Sequence, residues 1–542
     1  MTKSYLLLLL LVVICNINIK STNAASVIPN LGDEKCTIYI SVNNAVNSSY
    51  SNCGSDNIKN PCPSLDLGVQ SCINQSITGN MFFIFDNGTY ELTKNQTLSF
   101  YNQFVTLVGD PSGGTIFDLS NIKSTVFSII ENTQTSKTTD VTSLNINQMN
   151  FQNYYGITQT TAGSIVYVNS SVCQTLISVV DSVFSNAYGE SGVVFNLFVN
   201  DQHVAGKDPK TISVSVLNTN FTGISAESGA VFNAQYMVDL YLTSVIITNS
   251  SSNSSLIYSQ FGGVNFQGLE ISKSNVHFNG LIMIANDDEP TQVPVIEGSK
   301  FSDNYGAAGG NQSIILSFAS TLLLKNSVFS NNSIPGLWVK YFASNLNTLS
   351  NVTFENSSGP VVVADVQSQL FINQCEFIGN SIATAQLHNY GIVTVTNADS
   401  IQIFNGTFTG NTGVSIYTNN CAQVEISNVI SDDNKSTGLL NCLSSTVSLT
   451  GLNINVSISD QENTLYAHSV NCQEDCTLSS TDQQFQCSNQ SNSSSDKRKP
   501  KLEPLDILFI CIGGVVFLGL ILFIVFMVKK YRHGKHDYHL LH

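Results

Sequence analysis

Carboxylates, imidazoles and thiols are the side chains here with chemistry to offer. Asp432-Asp433 and Asp287-Asp288-Glu289 are clusters that general acid–base work or a calcium contact would use. Each lies in a polar stretch with no His or Arg beside it, which reads as solvated turn residues. Asp181, Asp239, Asp365 and Asp399 recur near the starts of apolar runs and could line a groove if coils stack. His203, His277, His388 and His468 are singletons without metal spacing, and Cys472-x3-Cys476 lacks a second Cys/His pair for zinc. No catalytic residue, metal site or cofactor follows from these patterns.

The elements that would position such groups come from a repeat. Phe151-Gln-Asn153, Phe184-Ser-Asn186, Phe329-Ser-Asn331 and Phe354-Glu-Asn356 share Phe-x-Asn. Phe301, Phe377 and Phe408 open Phe-x-x-Asn units ending at Asn304, Asn380 and Asn411. Their spacing lies in the range of solenoids. Between them, short runs such as Ile212–Val216 alternate apolar and small polar residues, the period of strands with one buried face. No convincing amphipathic helix of three turns occurs between Thr37 and Ser457. One such unit cannot bury its own apolar face, so units must stack. The fold predicted is all-β, a parallel β-helix solenoid with capped ends, followed by one transmembrane α-helix. The inward phenylalanines form ladders, and the corner Asn bonds to its copy or to backbone in the next coil.

Two passages resemble known β-helical families. Pro61-Cys-Pro-Ser-Leu65, Asp86-Asn-Gly-Thr-Tyr90 and Val105-Thr-Leu-Val-Gly-Asp110 resemble the opening coils of pectin-lyase-like right-handed β-helix proteins. Phe184–Val194 and Phe221–Val231 are similar to the repeats of chlamydial polymorphic outer-membrane proteins, with Ser-Gly in place of Gly-Gly. Gly88-Thr-Tyr-Glu91 also resembles pectin methylesterases, which use paired aspartates with Arg and Gln, but their downstream motifs do not appear. Polygalacturonase motifs are absent too. The resemblance implies fold across residues 36–457 and leaves function open.

Composition and topology narrow the class. The chain has 542 residues, 11% charged, with a formal net charge of −16. Without a basic stripe outside the C-terminus, a nucleic-acid partner is excluded. Residues 1–25 read as a signal peptide cleaved near Ala24 or Ala25. Residues 506–528 are long and apolar enough to span a bilayer, and Lys529, Lys530, Arg532 and Lys535 keep the far side cytoplasmic. The domains are then an N-terminal cap with first coils (26–120), the β-helix (121–460), a Cys-containing cap and juxtamembrane linker (461–505), the span, and a tail (529–542).

Cys36, Cys53, Cys62 and Cys72 gather at one end, and Cys421, Cys442, Cys472, Cys476 and Cys487 at the other, as disulfide candidates for solenoid caps. Cys173 and Cys375 fall between. Eleven exported cysteines are an odd number, so at least one thiol stays outside the intramolecular pairs. N-glycosylation candidates are Asn47, Asn74, Asn87, Asn95, Asn169, Asn220, Asn249, Asn253, Asn311, Asn331, Asn351, Asn356, Asn405, Asn434, Asn455, Asn489 and Asn492. In the tail, Tyr538-His-Leu-Leu541 fits a Y-x-x-Φ sorting signal and Asp537-Tyr-His-Leu540-Leu541 a D-x-x-L-L signal, both read by vesicle-coat adaptors.

The expected protein is a type I membrane glycoprotein at the plasma or endolysosomal membrane. Its ectodomain serves recognition, adhesion or surface coating through a glycan or protein ligand. The alternative is a membrane-anchored polysaccharide-active enzyme. Aromatic rings exposed on one sheet would favour carbohydrate, because rings stack on sugar faces.

Overall fold

In the computed structural model, most of residues 35–480 are described. Residues 1–34, 481–542 and several inter-strand segments, among them 44–52, 132–138, 200–211, 287–292, 341–345, 383–389 and 456–469, lie outside the description. The segments read from sequence as signal peptide, membrane span, tail and sorting motif therefore fall outside it, as do His203, His388, His468, Asp287–Glu289 and Asp433. Among the described residues no helix is long and apolar enough to cross a membrane. The described residues belong to one compact unit.

Strands alternate inward and outward side chains, and every ladder is parallel. Three strands make a coil. Ile212–Leu217 belongs to sheet A, Asn220–Ser228 to sheet B and Phe232–Gln235 to sheet C. Sheet A has 16 strands, from Cys36–Ile40 to Thr477–Ser480, and sheet C has 14, from Gln96–Leu98 to Val470–Gln473. Sheet B runs between them from Gly88–Glu91 to Asn453–Asn455. The coils thus continue into the 461–505 segment.

Phenylalanine forms the spine on sheet B. Phe117, Phe151, Phe184 and Phe221 stack at 5.3, 5.0 and 5.1 Å between ring centroids. Ile247 and Ile271 continue the column. Phe301, Phe329, Phe354, Phe377 and Phe408 resume it at 4.6, 4.8, 5.4 and 4.5 Å. In-register stacking repeats one ring per rung, so the core holds a single lateral position despite uneven coil lengths.

The bends explain the Ser, Thr and Asn content. A residue with positive φ turns the chain from sheet A into sheet B at Asp181, Asn218, Asn326, Asn351 and Asn405 (φ 48–55°). Asn pays little for this left-handed geometry. The Asn of Phe-x-Asn does the same within sheet B, at Asn153, Asn186, Asn331 and Asn356. The Asn of Phe-x-x-Asn faces inward instead. Asn380 Nδ2 donates to Phe354 O at 2.8 Å, and its Oδ1 accepts from Ser357 N at 3.0 Å. Asn411 Oδ1 accepts from Asn380 N at 2.9 Å. Asn304 and Asn332 repeat the pattern. These ladders satisfy buried bend amides, each worth about 1–3 kcal/mol if left unpaired.

The Ser-Gly of the repeat has a steric cause. Gly192 and Gly229 both hold φ +55°, and a Cβ on either would lie 2.6 Å from the Cβ of Asn196 or Asn233 in the strand that follows. The turn from sheet B folds back over sheet C too closely for a side chain.

The N-terminal end carries a helix that the sequence reading passed over, Leu65–Asn74. Ser64 caps it, accepting from Leu67 N at 3.4 Å, and Asp66 sits in its first turn. Disulfides Cys36–Cys72 and Cys53–Cys62 tie helix and first strand together. Cys442–Cys476 fastens the other end, and Cys472 is disulfide-bonded too. Cys487 lies outside the described residues. Cys421 is corrected: it is a buried free thiol, directed at the carbonyls of Val395 and Asn419. Its neighbours along the ladder are backbone and Ser445, and among the described residues no second sulfur pairs with it. Cys375 is also a buried free thiol, and Cys173 is a buried thiol 3.8 Å from Glu131 Oε1.

Candidate glycan-binding face

The three outer faces differ in charge. Sheet B strands carry eight carboxylates (Glu91, Asp118, Glu190, Glu227, Glu270, Glu355, Glu376, Asp432) and one lysine, Lys300. Sheet A strands carry Asp239, Glu297 and Glu425 against Lys325, which pairs with Glu297 at 2.9 Å. All fourteen strands of sheet C hold only Lys340 and Asp365. Those two are register partners on neighbouring strands. A chain of net charge −16 thus presents one long face that is neutral.

That face is aromatic and amidic. Tyr167 and Phe198, on adjacent coils, lie 6.1 Å apart between centroids. Tyr258 Oη donates to Gln260 Oε1 at 3.1 Å. Beneath the surface, buried Asn233 donates through Nδ2 to buried Asn196 Oδ1 at 2.9 Å, and the half-buried Gln235 donates through Nε2 to Asn233 Oδ1 at 3.2 Å. At the edge toward sheet A, Tyr236 and Phe261 stack at 5.6 Å with 25° between their planes. Both hold positive φ, 57° and 56°, a geometry that bulky side chains rarely adopt. Tyr236 is 40% exposed.

Farther along, Lys340 Nζ sits 4.0 Å from the centroid of Trp338, the only tryptophan of the chain. Burial pushes the Lys340 ammonium down, while Asp365 pulls it back up. Asp365 Oδ1 also accepts from Thr396 Oγ1 at 2.9 Å. Trp338 Nε1 is buried without a partner.

The four aspartates do not form a column. Asp181 occupies a bend and accepts from Asn218 Nδ2 at 3.2 Å. Asp239 faces out from sheet A, accepts from Gly263 N at 2.8 Å, and is held above the usual carboxylate range by burial. Asp365 ends a strand of sheet C, and Asp399 precedes one of sheet A. Loop geometry, which decides which sheet a residue joins, is invisible in the spacing. His277 is exposed and isolated, and among the described residues no His/Cys/Asp/Glu group could hold a metal.

Two carboxylates that sequence reasoning did not single out do share a concavity. Asp86 and Asp110 line a cleft of about 400 Å³ with Tyr39, Ser41, Pro61 and Gln148. Asp86 accepts hydrogen bonds from Ser41 and from Tyr90, the tyrosine of Gly88-Thr-Tyr. Burial, then Asp86 itself, raises the Tyr90 phenol far above its ordinary value. Asp110 is held low by the Ser112 hydroxyl and amide. Both Asp86 oxygens are committed to neighbouring donors, Ser41 and Tyr90, which ties the Gly-x-Tyr turn to the first strand, while Asp110 takes both Ser112 donors on Oδ1.

The protein class so defined is the parallel β-helix. A family model described as "Right handed beta helix region" matches residues 212–403. No curated protein sequence matches the chain. Similar solved structures include the surface protein and adhesin PfbA of Streptococcus pneumoniae, with 12% identity over 82% of this chain and 99% of that one, TM-score 0.30. Another is the catalytic unit of an α-1,3-glucanase from Streptomyces thermodiastaticus, with 11% identity, 78% and 69% coverage, and TM-score 0.31. The A-module of an Azotobacter vinelandii mannuronan C-5 epimerase has 10% identity, 83% and 100% coverage, and TM-score 0.26. These likenesses concern the coil alone.

Proposed function

We propose that this chain is a type I membrane glycoprotein whose β-helix ectodomain recognises a neutral glycan on the outer face of sheet C. The observation that carries this is the contrast in charge: a long face with one lysine and one aspartate in register, edged by stacked rings, on an acidic protein. Rings stack on the apolar faces of sugars, and side-chain amides pair with hydroxyls; neither needs a charged ligand. The apolar segment at 506–528 would anchor the ectodomain, and Tyr538 with Leu541 would engage a vesicle-coat adaptor from the cytoplasmic side. Plasma-membrane or endolysosomal residence fits both.

A glycan array probed with the detergent-solubilised full-length protein tests the reading, with calcium and chelator arms. Binding confined to neutral glycans is expected in both arms. Selection of acidic glycans, or release of reducing sugar from a bound polysaccharide, would replace this reading with a charge-driven or enzymatic one.

A further inference from the structure

The same asymmetry extends to modification. Asn351 and Asn405 open sequons at the bends into sheet B, where positive φ leaves their side chains exposed, and Asn87, also exposed, lies in the corresponding connection of the first coil. Asn249, Asn331 and Asn356 do so at the bends inside sheet B, again with positive φ and exposed. Asn220 starts a sheet B strand and is exposed. Asn95 and Asn253, both exposed, lie in connections from sheet B to sheet C. Asn455 ends a strand of sheet B. Apart from Asn455, placed here by its backbone alone, the remaining described sequon asparagines are Asn74, at the end of the cap helix, and Asn169, half-buried on sheet C.

We propose that N-glycans coat the sheet B side of the solenoid and leave sheets A and C bare, so that the aromatic face stays open. This rests on the reading of the chain as exported. The modification is ordinary. The asparagine amide nitrogen displaces lipid pyrophosphate from C1 of the oligosaccharide donor. The N–C1 bond forms as the C1–O bond breaks, and one amide proton is released. A substituted amide keeps its second N–H, so Asn351 can still donate to Asn326 Oδ1 (2.9 Å) and Asn405 to Asn373 Oδ1 (3.1 Å). Space is the other requirement. An exposed bend projects a bulky glycan into solvent, whereas the half-buried Asn169 side chain would press one onto the face beside Tyr167 and Phe198. The eight carboxylates of sheet B mark the same side as the hydrated one.

The test is site-by-site occupancy of the full-length protein made in a eukaryotic secretory host. Peptide-N-glycosidase in ¹⁸O water labels each formerly glycosylated asparagine for mass spectrometry. We expect most molecules to be occupied at Asn220, Asn249, Asn351 and Asn405, and Asn169 to be occupied at least ten-fold less. Equal occupancy of Asn169 and the sheet B sites overturns the one-sided coat while leaving export standing. Absence of label at every sequon, with the β-helix reached by protease from the cytosolic side of intact microsomes, overturns export and the coat together.

Discussion

Tyr236 and Phe261 stack one rung apart, 5.6 Å between centroids, each at a left-handed backbone position that turns sheet C toward sheet A. Asn tolerates that geometry. Tyr236→Asn with Phe261→Asn therefore removes both rings and keeps the bends. If the pair anchors a sugar, each ring truncation should weaken binding by about 2 kcal/mol, roughly thirty-fold. Isothermal titration against the best array ligand, with circular dichroism as a fold control, reads this. Unchanged affinity would move the site elsewhere on sheet C or off it.

The sheet B spine makes a stability prediction. Phe329 is fully buried between Phe301 and Phe354. Phe329→Asp buries a charge against rings, at several kcal/mol, and should abolish delivery of the protein to the cell surface. Asn380→Ala strands Phe354 O and Ser357 N, for about 2–4 kcal/mol, and should lower the cell-surface yield without abolishing it. Normal yield for both variants would contradict the ladders.

Burial pushes the Cys375 thiol up to about 11, and pushes Cys421 up as well. The thiolate is the nucleophile, so both should resist iodoacetamide at pH 8 in the native protein and alkylate once unfolded. Non-reducing peptide mapping should recover Cys36–Cys72, Cys53–Cys62 and Cys442–Cys476 with Cys421 unpaired. A disulfide to Cys421 would refute the register of the last coils.

Asp239 is raised by burial, so the folded state holds its proton more tightly than the unfolded chain does. Its contribution is complete below the unfolded value of about 3.9 and is lost as pH rises through the folded value. Asp239→Asn, which still accepts from Gly263, should raise the melting temperature by roughly 1–2 °C at pH 7. At pH 3 the variant and the parent should melt together. A gain at pH 3 equal to that at pH 7 would mean that ionisation plays no part.

Replacing Tyr538, Leu540 and Leu541 by Ala removes the adaptor anchors and leaves Lys529, Lys530 and Arg532 to hold topology. The surface-biotinylated fraction should then rise. An unchanged fraction would assign residence to the ectodomain.

The period was legible because a stacked fold repeats its core contacts. A column that must hold a ring at each rung writes Phe301, Phe329, Phe354, Phe377 and Phe408 into the chain, and a bend that must satisfy buried amides writes Asn304, Asn380 and Asn411. Local chemistry was legible for the same reason: cysteines near both ends announce caps, and Ser64 before Leu65 could have announced the helix. What the sequence left undetermined was lateral placement. Coils of unequal length, 37 residues from Phe184 to Phe221 but 23 from Phe354 to Phe377, hide which strands share a sheet. Only the three-dimensional register disperses Asp181, Asp239, Asp365 and Asp399, separates Cys421 from any second sulfur, and collects Tyr236, Phe261 and the neutral strands on one side. Periodicity records which residues point inward, because burial is selected in every coil; which outward residues become neighbours depends on where each loop returns the chain, and no local pattern encodes that.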